Sequence, residues 1–444
     1  MKLLRMIQSL LGLDRSVALA GSGRALAVIL GPVGSLIVVW TLTVDEQGLY
    51  YLFLSLTSLR SFFDLGASAA IAQMAPHMRP APGEVEGGLA APDFIRVAGK
   101  WMKTVALLFG VVCGFIGLAY LQWTGQMTGW VAFAWLLTVA ATAVSGSLEG
   151  AVQIVYGSGN VDSVSRLRIS SQLLQYFIQW ALLFSGLSLL SFGISMICVF
   201  FWQRFSLRRS FPDLWIRSPV VPARSRLIRA EMGSLVKKAS VTYVSGYLVF
   251  QVQQPIVFKM LGADSSAKLG LTSMVGSSLI GLASIWSLAK FPRFAKQVAD
   301  EDYESAFGSF RRNWFRTAAV AAIAFVTAFG ALEVLHCLPR FSERLMSLGE
   351  ALPLFLALLV QQLALALTFW PRSFKIEPFA PIAVIQMLLT PLATWLGVLW
   401  FGLFGIGLAN LASWLVGLAG ISWIYRRYLP GSRGFSEARE LLGK

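Results

Sequence analysis

Charge is scarce in this sequence. Only 13% of its 444 residues are Asp, Glu, Lys or Arg, against roughly a quarter in soluble domains, while 56% are hydrophobic. A soluble fold of this length would lack the polar surface to cover itself. Cysteine is nearly absent, at three residues. Cys113 and Cys198 lie within apolar runs and Cys337 near a helix end, which excludes a disulfide framework and fits packing roles. The two histidines, His77 and His336, have no Cys or His at ligand spacing, so no metal site is expected. There is no GxxxxGK[ST] loop to cradle a nucleotide, no Ser-His-Asp set and no exposed carboxylate pair. Neither an enzyme nor a cofactor is therefore expected.

What is present is a series of apolar runs. A helix needs ~20 apolar residues to cross a ~30 Å hydrocarbon layer, and the runs are too long and unbroken for the alternating ~10-residue strands of a β-barrel. Twelve spans are predicted at about 25–43, 49–71, 103–121, 130–155, 171–187, 190–206, 239–261, 267–289, 314–335, 352–370, 379–399 and 402–425. Trp40, Tyr50, Trp101, Trp123, Trp130, Trp314, Trp370, Trp400 and Tyr428 fall near their ends, where amphipathic rings settle among headgroups. The fold class expected is an all-α membrane protein of about twelve transmembrane helices in two six-helix lobes, 1–206 and 239–428. A basic cytoplasmic linker (207–238) joins the lobes, and a cytoplasmic tail (429–444) follows them. Residues 1–20, with Leu3, Leu4, Ile7, Leu10 and Leu11 on one side, read as an amphipathic helix on the membrane surface.

The net charge of +15 does not point to nucleic acid, because the charges lie between the apolar runs. With both termini inside, Lys259, Lys268, Arg340 and Arg344 lie outside and Arg60 lies within a span, leaving 32 of the 37 Lys and Arg on the cytoplasmic side. That asymmetry supports the helix count and the orientation together.

The two halves also look alike. Leu42 to Leu49 joins spans one and two, and Leu261 to Leu271 joins spans seven and eight; Pro76 and Pro292 follow at the far ends of spans two and eight. Six plus six repeated helices are a common transporter plan.

Polar chemistry inside the spans then carries the functional reading, since a charge at a helix centre costs ~3 kcal/mol or more. Arg60 and Asp64, four apart in the second span, either pair with each other or handle substrate and ions. Glu149 has no basic neighbour one turn away, and is a candidate protonatable group unless a distant partner such as Arg166 engages it. Arg24 opens span one and Lys290 closes span eight. Gln172, Gln175 and Gln179 share a face of span five, Gln251, Gln253 and Gln254 lie mid span seven, and Gln361, Gln362, Gln386 and Asn410 add single points. Interhelical hydrogen bonds account for such amides, and so would a wet cavity that binds sugar hydroxyls.

At the residue level, Asp45-Glu46-Gln47-Gly48-Leu49-Tyr50-Tyr51-Leu52 with Phe62-Phe63-Asp64-Leu65-Gly66-Ala67, and Val244-Ser245-Gly246-Tyr247-Leu248 through Lys259-Met260-Leu261-Gly262, resemble the Wzx-type polysaccharide flippases of the multidrug/oligosaccharidyl-lipid/polysaccharide exporter superfamily. The resemblance implies a multi-pass protein of the bacterial inner membrane that moves a polyprenyl-pyrophosphate-linked oligosaccharide outward by alternating access. Its partners would be that lipid-linked substrate, membrane lipids and other surface-glycan assembly proteins. It also implies Arg24, Arg60 and Lys290 as basic substrate contacts. The polar residues inside the spans add Gln175, Gln179, Gln253 and Gln254 as expected substrate contacts, and Asp64 and Glu149 as expected ion-coupling acids. The chain departs from the family at Gln253-Gln254, where an acidic-basic pair is usual, and at Gln73, where a basic residue is usual. The alternatives are a multidrug/toxin ion antiporter of the same fold and, from another class, a membrane glycan polymerase or ligase. Residues 25–43 hold no acid, which favours an anionic cargo over a cationic one.

The charge asymmetry makes a direct prediction. Reporter fusions at Lys444 and within 207–238 should both read cytoplasmic; an external signal at either point breaks the twelve-span map.

Overall fold

The computed structural model describes residue 26 and residues 30–78, 90–215, 222–374 and 376–442, and among these every regular element is helical. Six described helices are long and apolar enough to cross a membrane: Pro92–Trp123, Gly129–Gly157, Leu190–Ser210, Tyr303–His336, Leu348–Arg372 and Ala380–Arg427. The last is two spans, turned at Gly402, whose φ of 57° ends one and starts the next. The other expected spans are present but interrupted or more polar. The first is seen at Leu30–Thr41. The second is in three pieces, Val44–Thr57, Arg60–Asp64 and Ala67–Met74. The fifth is Val161–Phe184. The seventh runs from Pro222, breaks after Phe250, and resumes at Gln253; at Gly262 (φ 84°) the chain turns into the eighth, which continues through Leu282–Ala299. All twelve expected spans therefore coincide with helix, in an all-α membrane protein. Leu107, Phe115, Ile323, Val326 and Trp400 are well exposed on these helices, as lipid-facing side chains must be.

The chain falls into two compact units, one of Leu49–Tyr247, the other of residues up to Gly48 and from Leu248 onward. The dividing points lie within the second and seventh spans, so span one and the 222–247 segment group differently from the lobes expected from sequence order. The core of the 49–247 unit gathers Ile71, Phe94, Met102, Val155, Ile228, Met232 and Val236. The last three recur every four residues and form one helical stripe. The second half of the expected basic linker is thus a packed helical extension of span seven. The other unit has an aromatic core, in which Trp370 is fully buried, packs on Phe310 at 5.6 Å between ring centres, and donates from Nε1 to the Tyr428 carbonyl at 2.7 Å. Phe435 and Ala438 of the helix Arg433–Leu442 are buried in this core. The expected tail is therefore a docked amphipathic helix. Residues 1–20 lie outside the described residues.

The two segments that look equivalent in sequence meet within one unit. Thr43 and Glu46 form a reciprocal cap at the start of the second span: the Glu46 carboxylate accepts from the Thr43 N–H at 2.9 Å and Thr43 Oγ1 accepts from the Glu46 N–H at 3.3 Å. Beside it, Gln47 Nε2 donates to the Ala267 carbonyl at 3.4 Å and Ser266 Oγ to the Gly48 carbonyl at 3.4 Å. A Cβ on Gly48 would lie 2.3 Å from the Ala263 carbonyl oxygen, so this backbone approach requires glycine. From the loop after span nine, Arg344 donates to the Leu42 carbonyl at 2.7 Å and to Gln47 Oε1 at 3.1 Å. Burial, with Arg340 nearby, draws the Arg344 guanidinium below its ordinary pKa.

Gly48→Val should destabilise the protein by about 1–3 kcal/mol, the usual cost of overpacking. Gly330→Ala, at a helical glycine with nothing within 4 Å of the added methyl, should stabilise it slightly through helix propensity. Thermal unfolding of the two variants in detergent checks both signs.

Candidate functional site: a charge cluster in the 49–247 unit

The second span breaks where its charged residues sit. Leu65 (φ 49°) and Gly66 (φ 85°) both adopt left-handed backbone and separate Arg60–Asp64 from Ala67–Met74. A helix that restarts inside a membrane exposes N–H groups with no water to serve them. Asp64 meets that need: it is 9% exposed, and its carboxylate accepts from Ser68 Oγ at 2.8 Å and from the Ser68 N–H at 3.3 Å.

Because Asp64 caps the following helix, no ion pair joins it to Arg60, although the two are one turn apart. Arg60 turns instead to the fourth span. Its guanidinium lies 3.5 Å from Glu149, with Nε where a Cβ on Gly146 would come within 3.0 Å. Glu149 follows the turn at Leu148 and also accepts from Gln153 Nε2 at 2.6 Å. On its other side stands Arg168, at 3.7 Å. The distant partner of Glu149 is thus Arg168 and not Arg166. Two residues are 200° apart on a helix, and Arg166 faces a separate pocket with Ser163, Ser170 and Ser206. The cluster carries two guanidiniums on one carboxylate, with Asp64 a turn away. Arg60 is 31% exposed and Glu149 27%, so the site is neither sealed nor fully wet. One long ion pair leaves most of the Arg60 donors free for a planar anion.

Within the 49–247 unit, the expected glutamines bond to neighbours outside this cluster. Gln179 Nε2 donates to the Tyr50 hydroxyl at 2.9 Å and Gln175 Nε2 to Met196 Sδ at 3.4 Å. In the other unit Gln253 Nε2 donates to Asn410 Oδ1 at 2.6 Å and to the Val249 carbonyl at 3.4 Å, while Gln254 Nε2 reaches both the Ser266 carbonyl and its hydroxyl. These four amides tie helix to helix. Lys290 lines a pocket of about 260 Å³ with Phe294, Ser309, Arg312, Asn313 and Arg316. Arg24 lies outside the described residues. Among those residues no group of three His, Cys, Asp or Glu could hold a metal. Sequence reasoning missed Gln153, Arg168, Arg312, Asn313 and Arg316. The i, i+4 spacing of Glu149 and Gln153 was the available signal for the first, and helical spacing along 309–316 for the last three.

The fold has solved counterparts. A lipid II flippase, MurJ, in an inward closed conformation superposes with a TM-score of 0.69 at 13% identity, over 92% of this chain and 87% of that one. An inward-facing multidrug resistance MATE family transporter of the MOP superfamily gives 0.58 at 12%, over 93% and 99%. A mutant of the Vibrio cholerae MATE transporter VcmN gives 0.56 at 13%, over 97% and 100%. The chain shares the fold of these structures. No family model and no curated protein sequence matches it. With this fold and six described helices long and apolar enough to span, the chain is a multi-pass membrane protein.

The geometry predicts a specific pattern of coupling. Glu149→Ala removes the carboxylate shared by the part-buried Arg60 and the exposed Arg168 and should cost about 1 kcal/mol, the upper range for partly exposed ion pairs. Adding Arg60→Ala should cost less than the sum of the singles, by ~0.5–1 kcal/mol. Arg60→Ala with Asp64→Ala should be additive. Unfolding midpoints of the six proteins in detergent decide it, and a larger coupling to Asp64 than to Glu149 would contradict the cluster.

Proposed function

We propose that the protein is a flippase that carries a lipid-linked anionic saccharide, a polyprenyl-pyrophosphate-linked glycan unit, from the cytoplasmic to the outer leaflet by alternating access. The observation that carries this reading is Arg60: a half-exposed guanidinium held mid-span by one long ion pair, within a transporter fold. A pyrophosphate or uronate crossing the membrane needs a compensating charge, and a planar guanidinium offers bidentate donors for it. The absence of any acid from residues 25–43 and the higher TM-score to the lipid II flippase than to the MATE transporters argue in the same direction. With no phosphate-cradling loop, the drive is an ion gradient or exchange. Asp64 is the better candidate for ion handling, because an ion reaching Glu149 must displace two guanidiniums and Gln153. On this reading the protein resides in a bacterial inner membrane with both termini cytoplasmic.

A second reading, a multidrug antiporter, has the same fold behind it and Asp64 as a buried acid. It is distinguished by cargo: ion-driven efflux of cationic dyes, unaffected by Arg60, would replace the first.

If Arg60 contacts cargo, the Arg60→Ala/Glu149→Ala protein should reach the membrane at normal level and still reduce surface glycan by tenfold or more. Arg60→Lys, which keeps a charge beside Glu149 but loses the bidentate fork, should fail in part. Normal surface glycan in the double-alanine strain, at matched protein level, would show that Arg60 serves only Glu149.

A further inference from the structure

The pocket that Arg166 faces lies within the 49–247 unit, between the helices Val161–Phe184 and Leu190–Ser210, and encloses about 340 Å³. Ser163, Arg166 and Ser170 recur at i, i+3 and i+7 along one face of the first helix, and Ser206 and Ser210 stand one turn apart on the second. Beneath them Val164 and Leu207 form a buried apolar floor. No acidic residue lines the pocket. Asp162, one turn before Arg166, lies outside the lining, and no ion pair joins the two among the described residues.

The hydrogen bonds of these side chains separate them into two groups. A serine in a helix commonly bonds back to a carbonyl of the preceding turn. Ser170 does so, donating to the Leu167 carbonyl at 3.0 Å, and its hydroxyl also accepts from Trp202 Nε1 at 3.0 Å. The hydroxyls of Ser163, Ser206 and Ser210 have no hydrogen-bond partner among the described residues, and the Arg166 guanidinium has neither a carboxylate nor a hydrogen-bond partner there. One planar cation and three uncommitted hydroxyls therefore converge over an apolar floor. Beside them the second helix exposes Phe201, Trp202 and Phe205, and the bond from Trp202 to Ser170 sets that ring at the pocket's edge.

We propose that this pocket binds a lipid phosphate monoester, with Arg166 and the hydroxyls of Ser163, Ser206 and Ser210 on the phosphate and an acyl chain along Phe201, Trp202 and Phe205. A phosphate monoester carries close to two negative charges and three strong acceptor oxygens. A phosphodiester offers one charge and two such oxygens, so it would leave some of these four donor groups unserved. Choline and ethanolamine headgroups also bring a cation, and no acid in the lining answers it. The apolar floor and the exposed aromatic rings give a lipid tail a place that a soluble phosphoester would leave empty. Arg204, Arg208 and Arg209 lie at the same end of the second helix, and basic pockets between spans draw anionic headgroups. Arg208 itself is turned onto the Trp215 ring, at 5.8 Å from its centre, which leaves Arg166 as the cation of the pocket. The site goes beyond the transport reading and stands whether or not the protein moves a glycan.

The test uses the full-length protein in detergent, with lipid binding counted by native mass spectrometry. Wild type should bind phosphatidic acid saturably and at least tenfold more tightly than phosphatidylcholine. It should also bind it about fivefold more tightly than phosphatidylmethanol, a diester with the same acyl chains and one charge. Arg166→Gln, at an exposed side chain, should lose tenfold in phosphatidic acid affinity while keeping its unfolding temperature in lipid-free detergent. Ser206→Ala/Ser210→Ala should keep that temperature too, and should bind phosphatidic acid and phosphatidylmethanol equally. Equal phosphatidic acid binding by wild type and Arg166→Gln overturns the site. Equal binding of the monoester and the diester by wild type overturns the assignment to a monoester. Competition by glycerol 3-phosphate at concentrations matching the lipid's affinity would mean that a soluble phosphoester is the ligand, and overturns the lipid.

Discussion

A bilayer core supplies no water to a peptide group, and this single constraint explains where the polar residues of this protein are spent. Each unserved N–H or C=O costs several kcal/mol in hydrocarbon, so a helix can be interrupted there only if side chains take over its hydrogen bonds. The second span is interrupted at Leu65 and Gly66, and Asp64 serves Ser68 across the break. The seventh is interrupted after Phe250, two residues before a stretch in which Pro255 has no N–H to give. There Gln253 donates to the Val249 carbonyl and Gln254 reaches forward to Ser266, beyond the turn at Gly262. Polar side chains that look like an open cavity in the sequence are in these cases the means by which broken helices persist in a membrane.

The same constraint separates what hydropathy reveals from what it conceals. Helix number and position were legible because twelve apolar runs and the charge bias between them are properties of side chains. The breaks were not, because residues 49–71 remain apolar on average while their backbone turns twice. Charge misled at two places. Residues 222–238 are basic enough to read as a solvated connector, yet Ile228, Met232 and Val236 make a four-residue stripe that packs into a core. Residues 433–442 read as a tail, yet Phe435 and Ala438 are buried. In both cases a narrow apolar stripe outweighs a higher count of charges, because the charged side chains stay in water while the stripe is buried.

The candidate site shows the limit of local rules most clearly. An Arg and an Asp four apart are expected to pair, and the spacing of Arg60 and Asp64 satisfies that rule. The pairing nonetheless goes to Glu149, nearly ninety residues away in sequence. Asp64 is already committed to the backbone of the next helix, whose exposed N–H groups cannot turn to solvent, whereas Arg60 has an alternative carboxylate. Backbone satisfaction therefore ranks above side-chain ion pairing inside the membrane, and the pairing partner becomes a tertiary fact that one sequence does not contain.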